Sequence, residues 1–233
     1  MTGSRNKLRR DPSAFRLSSS SLANGLAHLS RLGFGAILQG KTNAAHRCHE
    51  YFPDVCGRQA LKLAAFEAIA AALRDAGVRY LVAGGIAVNA HGYLRLTYDV
   101  DLVIQLEPDN IRPAFKALAS LGYRPTVPVT AEQFADEAQR ARWIRDKGMQ
   151  VLNFHSDLHR PFTVGVFVSV PFDFDSEYDA AMQGEVAPGL TVRFVSIPTL
   201  IAMKQLANRP RDLDDIEHLR TIMEEKRRDE RGN

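Results

Sequence analysis

Asp99 and Asp101 lie one residue apart in the run Asp99-Val-Asp-Leu-Val-Ile104, and a glycine pair, Gly84-Gly85, closes the apolar run Tyr80 to Ala83 that precedes it. In a strand, residues i and i+2 project to one face, so the two carboxylates stand side by side while Val100 and Leu102 turn to the other face. Adjacent hard oxygen donors suit Mg²⁺, or Mn²⁺. Mg²⁺ takes one or two carboxylates and completes its shell with water and substrate phosphate oxygens. Glycines at a strand-to-helix turn let the backbone come close to a triphosphate, whose charge is met by free N–H groups at the helix N-terminus. The bland alternative is a tight turn and a capped strand end. Carboxylates set among apolar residues are costly to leave without a partner, which favours the metal-site reading.

Positioning such a pair takes a sheet with helices packed on it. Leu61 to Ala76 has apolar residues at helical spacing and stops at Gly77. A strand into Gly84, a short helical segment and the strand of the aspartates follow. Pro108-Asp109 opens another helix, Ile111 to Leu121, ended by Gly122. Residues 130 to 147 read as one amphipathic helix, on which Arg140, Arg142, Arg145 and Lys147 either line a nucleotide or acceptor groove or, the preferred reading, form a solvated face. Val151 to His155 and Val164 to Val170 have strand composition and are joined by a turn over 156 to 161. Leu190 to Val195 reads as a further strand, and Ser196 then caps a helix with Pro198 in its first turn. The expectation is an α/β (α+β) domain: a mixed β-sheet with packed helices and a helical C-terminal segment.

The run Thr199-Leu-Ile-Ala-Met-Lys204 sets a lysine on an otherwise apolar helix, and Arg209-Pro-Arg-Asp212 leads on to Asp215. Lys204 either reaches a triphosphate as a point charge or ties two helices together through Asp212 or Asp215, and the two roles are compatible. His91, four residues before Arg95, either contacts phosphate or braces the loop; His159 reads as a turn residue.

Gly-Gly followed by Asp-hydrophobic-Asp resembles the nucleotidyltransferases of the DNA polymerase beta superfamily. The longer string GGIAVNAHGYLRLTYDVDLVI is similar, more narrowly, to the AbiEii-type and related small bacterial nucleotidyltransferases, and the likeness continues through residues 164 to 175 and 196 to 219. It covers roughly residues 61 to 223. The resemblance implies the nucleotidyltransferase fold, with Asp99 and Asp101 as metal ligands and Asp99, Asp101, Lys204 and Asp212 as catalytic residues. Gly84, Gly85, Arg95, Lys204 and Arg209 would bind the nucleotide. It implies transfer of a nucleoside monophosphate from an NTP to an acceptor hydroxyl on a tRNA end or a protein, in a toxin–antitoxin or phage-defence setting with a cognate antitoxin as partner. Modification of a small antibiotic hydroxyl would use the same core.

One position departs from the pattern. Such enzymes usually carry a third carboxylate on a neighbouring strand, as a further metal ligand or to help deprotonate the attacking hydroxyl; the matching residue here is Gly165, in Thr163-Val-Gly-Val-Phe167. Asp157 or Asp173 would have to be brought round to replace it. If neither is, the alternative is a catalytically silent nucleotide-binding module that regulates or partners another protein.

The chain has 233 residues, 45% of them apolar, enough for one ordinary core. No apolar stretch approaches the ~20 residues that cross a bilayer, and two cysteines, Cys48 and Cys56, make no disulfide framework, so a cytoplasmic location without membrane attachment is expected. Residues 1 to 60 hold nine Lys/Arg against three acids, whereas the remaining 173 residues hold 21 basic and 24 acidic side chains. The N-terminal 60 therefore read as a basic, disordered extension; an RNA-binding arm or an organelle leader are the other readings. His46, Cys48, His49 and Cys56 match no standard zinc spacing. Residues 224 to 233 read as a charged tail.

Overall fold

The computed structural model describes residues 53–231 other than Pro161, with side chains from residue 63 onward. Its centre is β1, Tyr80–Ala83, whose four residues are all buried. Such a strand is covered on both faces, which is why it reads as a continuous apolar run with no alternation. On one side β1 pairs antiparallel with β2, Asp99–Ile104. On the other it pairs parallel with β7, Leu190–Phe194. The seven-stranded sheet runs β3-β4-β5-β2-β1-β7-β6, with β3 at Arg124–Pro125, β4 at Val151–His155, β5 at Thr163–Phe167 and β6 at Met182–Ala187. β2 and β5 are parallel; the pairs β3/β4, β4/β5 and β6/β7 are antiparallel. The sheet is mixed, as the sequence led one to expect.

Two helices cover the face to which Val100, Leu102, Leu152, Phe154, Val164 and Val166 turn, all of them buried. They are α3, Pro108–Ser120, and α4, Ala131–Ala135. Phe115 of α3 meets Phe154 of β4 and Phe134 of α4 at centroid distances of 5.1 and 5.3 Å. α1, Pro53–Asp75, buries Phe66, Ile69 and Leu73 in the same core. Its start lies eight residues before the expected Leu61, so part of the supposed extension is the opening of this helix. The remaining expectations for residues 1 to 52 lie outside the described residues.

The single helix expected over 130 to 147 is two. Thr130 and Gln133 form a capping box on α4, and Asp136 leaves helical geometry (φ −74°, ψ 110°) to accept from the N–H groups of Ala138 and Gln139 at the head of α5, Glu137–Lys147. An aspartate at this point favours a cap over helix continuation. Arg140 does not join a solvated face. It is buried, donating to the Phe134 carbonyl at 2.6 Å, while Arg142 and Arg145 stay exposed.

β6 and the short α6, Phe174–Ala180, lie in a stretch to which the sequence pattern assigns no element. Glu177 of α6 is buried and accepts from Ser196 N and Thr199 Oγ1, each at 2.6 Å, at the head of α7, Ile197–Ala207. A carboxylate there satisfies a free amide and complements the helix dipole. Ser196 caps α7 as expected, accepting from Thr199 N. The last helix, α8, spans Pro210–Arg231, so the charged residues 224 to 231 are helical and exposed.

Candidate functional site

β2 changes character along its length. Asp99 is exposed, Val100 buried and Asp101 half-buried, after which Leu102, Val103 and Ile104 are all buried. The strand thus offers its carboxylates where it emerges from the core, on the face opposite α3 and α4. α2, Gly84–His91, begins directly across from them, because β1 pairs Ala83 with Asp101.

The glycine pair is dictated by that proximity. Gly84 has φ +61°, and a Cβ on it would lie 1.8 Å from Oδ2 of Asp101. A Cβ on Gly85 would meet Thr97 Oγ1 at 2.6 Å and Arg95 Nη1 at 3.1 Å. The head of α2 carries no side-chain cap, so its first amides are available to an anion.

The positive charge comes from both sides of the sequence, Arg95 from the loop before β2 and Lys204 from near the C-terminus. Lys204 of α7, 6% exposed, donates to Asp215 Oδ2 at 2.5 Å and Asp212 Oδ1 at 3.2 Å. Asp215, fully buried, also accepts a two-pronged contact from Arg95, Nε to Oδ1 at 2.6 Å and Nη2 to Oδ2 at 2.8 Å. Asp212 accepts from the Arg209 N–H at 3.2 Å, which fastens the head of α8 to the same cluster. The helix-tying role foreseen for Lys204 is therefore in place. One carboxylate, Asp215, orients both Lys204 and Arg95.

Electrostatics join the two halves. Burial and then the neighbouring Asp99 charge push the Asp101 carboxyl up to about 6, while Lys204, Arg209 and Arg95, in that order, pull the other way. Three cations, Lys204 from α7, Arg209 from the α7–α8 junction and Arg95 from the loop before β2, thus act on one carboxylate beside Asp99. Asp99 itself accepts a hydrogen bond from Thr163 on β5.

Among the described residues no group of three or more His, Cys, Asp or Glu side chains could hold a metal ion. Two aspartates remain, and that small set fits a Mg²⁺ or Mn²⁺ ion whose other ligands are waters and substrate phosphates. Burial of the Asp101 carboxyl, and after it the neighbouring Asp99 charge, is what a divalent cation would offset.

Gly165 stands beside Asp101 in the β2/β5 register. Neither acid proposed to replace a carboxylate there does so. Asp157 is ion-paired with Arg160 in the exposed β4–β5 turn, and Asp173 caps α6 by accepting from Ser176 N at 2.8 Å. Instead the next position in the row is Asn153 of β4, paired with Gly165. Strand register, which a single sequence does not carry, is what hid it.

His91 sits at the end of α2 and donates from Nε2 to the Val195 carbonyl at 2.7 Å. Burial depresses its basicity, so it braces α2 against the end of β7. His159 lies in the β4–β5 turn, edge-on to Tyr123. Searches against protein-family models and against curated proteins return no match for this chain.

Proposed function

We propose that this protein transfers a nucleoside monophosphate from an NTP to an acceptor hydroxyl. The observation that carries the reading is Asp99 and Asp101 standing side by side against the uncapped head of α2, with Gly84 in contact with Asp101. In this reaction the acceptor oxygen attacks the α-phosphorus, the bond to the β-phosphate oxygen breaks, and pyrophosphate leaves as the hydroxyl proton is lost. A Mg²⁺ ion bound at the aspartates would polarise the phosphate and neutralise charge as it develops.

The chain's own groups supply position and field. The α2 amides and the Gly84-Gly85 backbone receive the phosphates. Lys204 and Arg95, held by Asp215, supply fixed positive charge near Asp101, and fixed charge is worth most where it needs no reorganisation. Arg209, exposed at the α7–α8 junction, is free to swing onto the polyphosphate. The resemblance supports a tRNA end or a protein side chain as acceptor, a cognate antitoxin as partner and the cytoplasm as location. No described helix is long and apolar enough to cross a membrane.

Gly165 favours a second reading, a nucleotide-binding module that does no chemistry. One experiment separates the two: incubation with each labelled NTP, Mg²⁺ and either total RNA or a protein acceptor mixture. Label on an acceptor, lost in Asp99→Ala/Asp101→Ala, supports transfer; nucleotide binding without labelling supports the silent module. Absence of binding as well as labelling would reject both.

A further inference from the structure

Asp101, Gly165 and Asn153 occupy one row across three adjacent strands, β2, β5 and β4. Directly paired residues project to the same face, so Asp101 and Asn153 flank a position that has no side chain. From the place a Cβ on Gly165 would take, Asp101 Oδ1 is 3.1 Å away and Asn153 Oδ1 is 3.5 Å away. The two oxygens approach the same position from the strands on either side of β5, and Val151 Cγ1, 2.8 Å from it, crowds it on an apolar flank. The Asn153 backbone carbonyl is engaged by Thr126 N at 2.8 Å. Its exposed side-chain amide has no hydrogen-bond partner among the described residues and is available to a ligand.

We propose that Asn153 is a third oxygen donor of the Asp99–Asp101 cation site, acting across the gap that Gly165 leaves. This rests on the metal-binding reading above. An amide carbonyl is a hard, neutral oxygen of a kind that divalent cations accept beside carboxylates. It adds a ligand without placing a third negative charge beside two carboxylates that already stand one residue apart on β2. The protein then offers two charges to a divalent ion rather than three. The free ion is held weakly, and the missing negative charge comes from the triphosphate. The metal therefore enters with the nucleotide.

The test is Mn²⁺ binding followed by electron paramagnetic resonance, with Mn²⁺ alone and with Mn²⁺ plus a non-hydrolysable NTP analogue. The proteins are wild type, Asn153→Ala, Asn153→Asp and Asp99→Ala/Asp101→Ala, each with its melting temperature recorded without metal. Removing the donor should weaken Mn²⁺ binding by about tenfold, a loss of the size that supporting ligands give, while leaving the metal-free melting temperature within about 1 °C, as for an exposed substitution. Asn153→Asp should tighten binding of Mn²⁺ alone and shrink the enhancement that the nucleotide gives. Equal affinities in wild type and Asn153→Ala would overturn the proposal while leaving the aspartate site standing, as would an Asn153→Asp variant that binds no tighter. A wild type that binds no Mn²⁺ under either condition would remove the metal site itself, and this proposal with it.

Discussion

Oδ2 of Asp101 lies where a side chain on Gly84 would have to begin, 1.8 Å from the position of the absent Cβ. The first residue of α2 and the second carboxylate of β2 are thus in close contact, and a side chain added at Gly84 has to displace the Asp101 carboxylate. Gly189 provides the comparison, because it has φ +72° but nothing within 4 Å of its Cβ position. Gly189→Ala should cost only the left-handed backbone, about 1 kcal/mol. Gly84→Ala adds overpacking and should cost on the order of 3 kcal/mol. Denaturant unfolding of both variants measures the difference, and equal costs would mean that the contact with Asp101 is easily relaxed.

The Asp101 carboxyl, pushed up to about 6 from an ordinary 3.8, makes the metal-free protein weaker at neutral pH. Its folded-state affinity for a proton exceeds that of the unfolded chain. The stability it contributes is therefore complete below about 3.8 and is lost as pH rises through about 6. Asp101→Asn should then raise the metal-free melting temperature at pH 7.5, by an amount equivalent to at most about 3 kcal/mol, and the advantage should shrink as pH falls towards 4.5. A constant gap between variant and parent across that range would show that the carboxyl is not displaced.

Asp215 faces two cations and Asp212 one. Removing one member of a buried charged cluster leaves its partner uncompensated, at about 3–5 kcal/mol. Asp215→Asn should approach that cost, and Asp212→Asn, which is less deeply engaged, should cost less. If chemical denaturation ranks them the other way, Arg95 has found another partner.

Gly165→Asp should restore a carboxylate next to Asp101, yet its Cβ would meet Val151 Cγ1 at 2.8 Å. The single variant should lose about 1–3 kcal/mol through crowding, with Val151→Ala recovering part of it in the double variant. Transfer assays on both variants then decide between the two functional readings: rescue of an inert parent supports the silent module, and no gain over an active parent supports transfer without the third carboxylate.

Much of the fold was legible because its signals are local. The limits of β1 and β4 and the Ser196 cap follow from apolar runs and a capping residue. Asp136 hid the break between α4 and α5, since helical periodicity in 130 to 147 continues through a residue whose side chain serves better as a cap. A charged residue such as Arg140 ordinarily sits in solvent, and its burial depends on the Phe134 carbonyl, freed where α4 ends. Within the site, the aspartate pair and glycine turn could be read from spacing alone. The Asp101–Gly165–Asn153 row could not, because it depends on how three strands align.

The Arg95 to Asp215 contact joins positions 120 residues apart. A chain still emerging from the ribosome has both glycines and both aspartates long before it has Asp215, Lys204 or the head of α8. Domains fold as units during synthesis, and contacts of long sequence separation close last. A truncated or half-made copy therefore presents a pair of acids with no organised positive charge behind them. The full cluster forms only when nearly the whole domain is present, so the last helix acts as a completeness check on the site it helps to build.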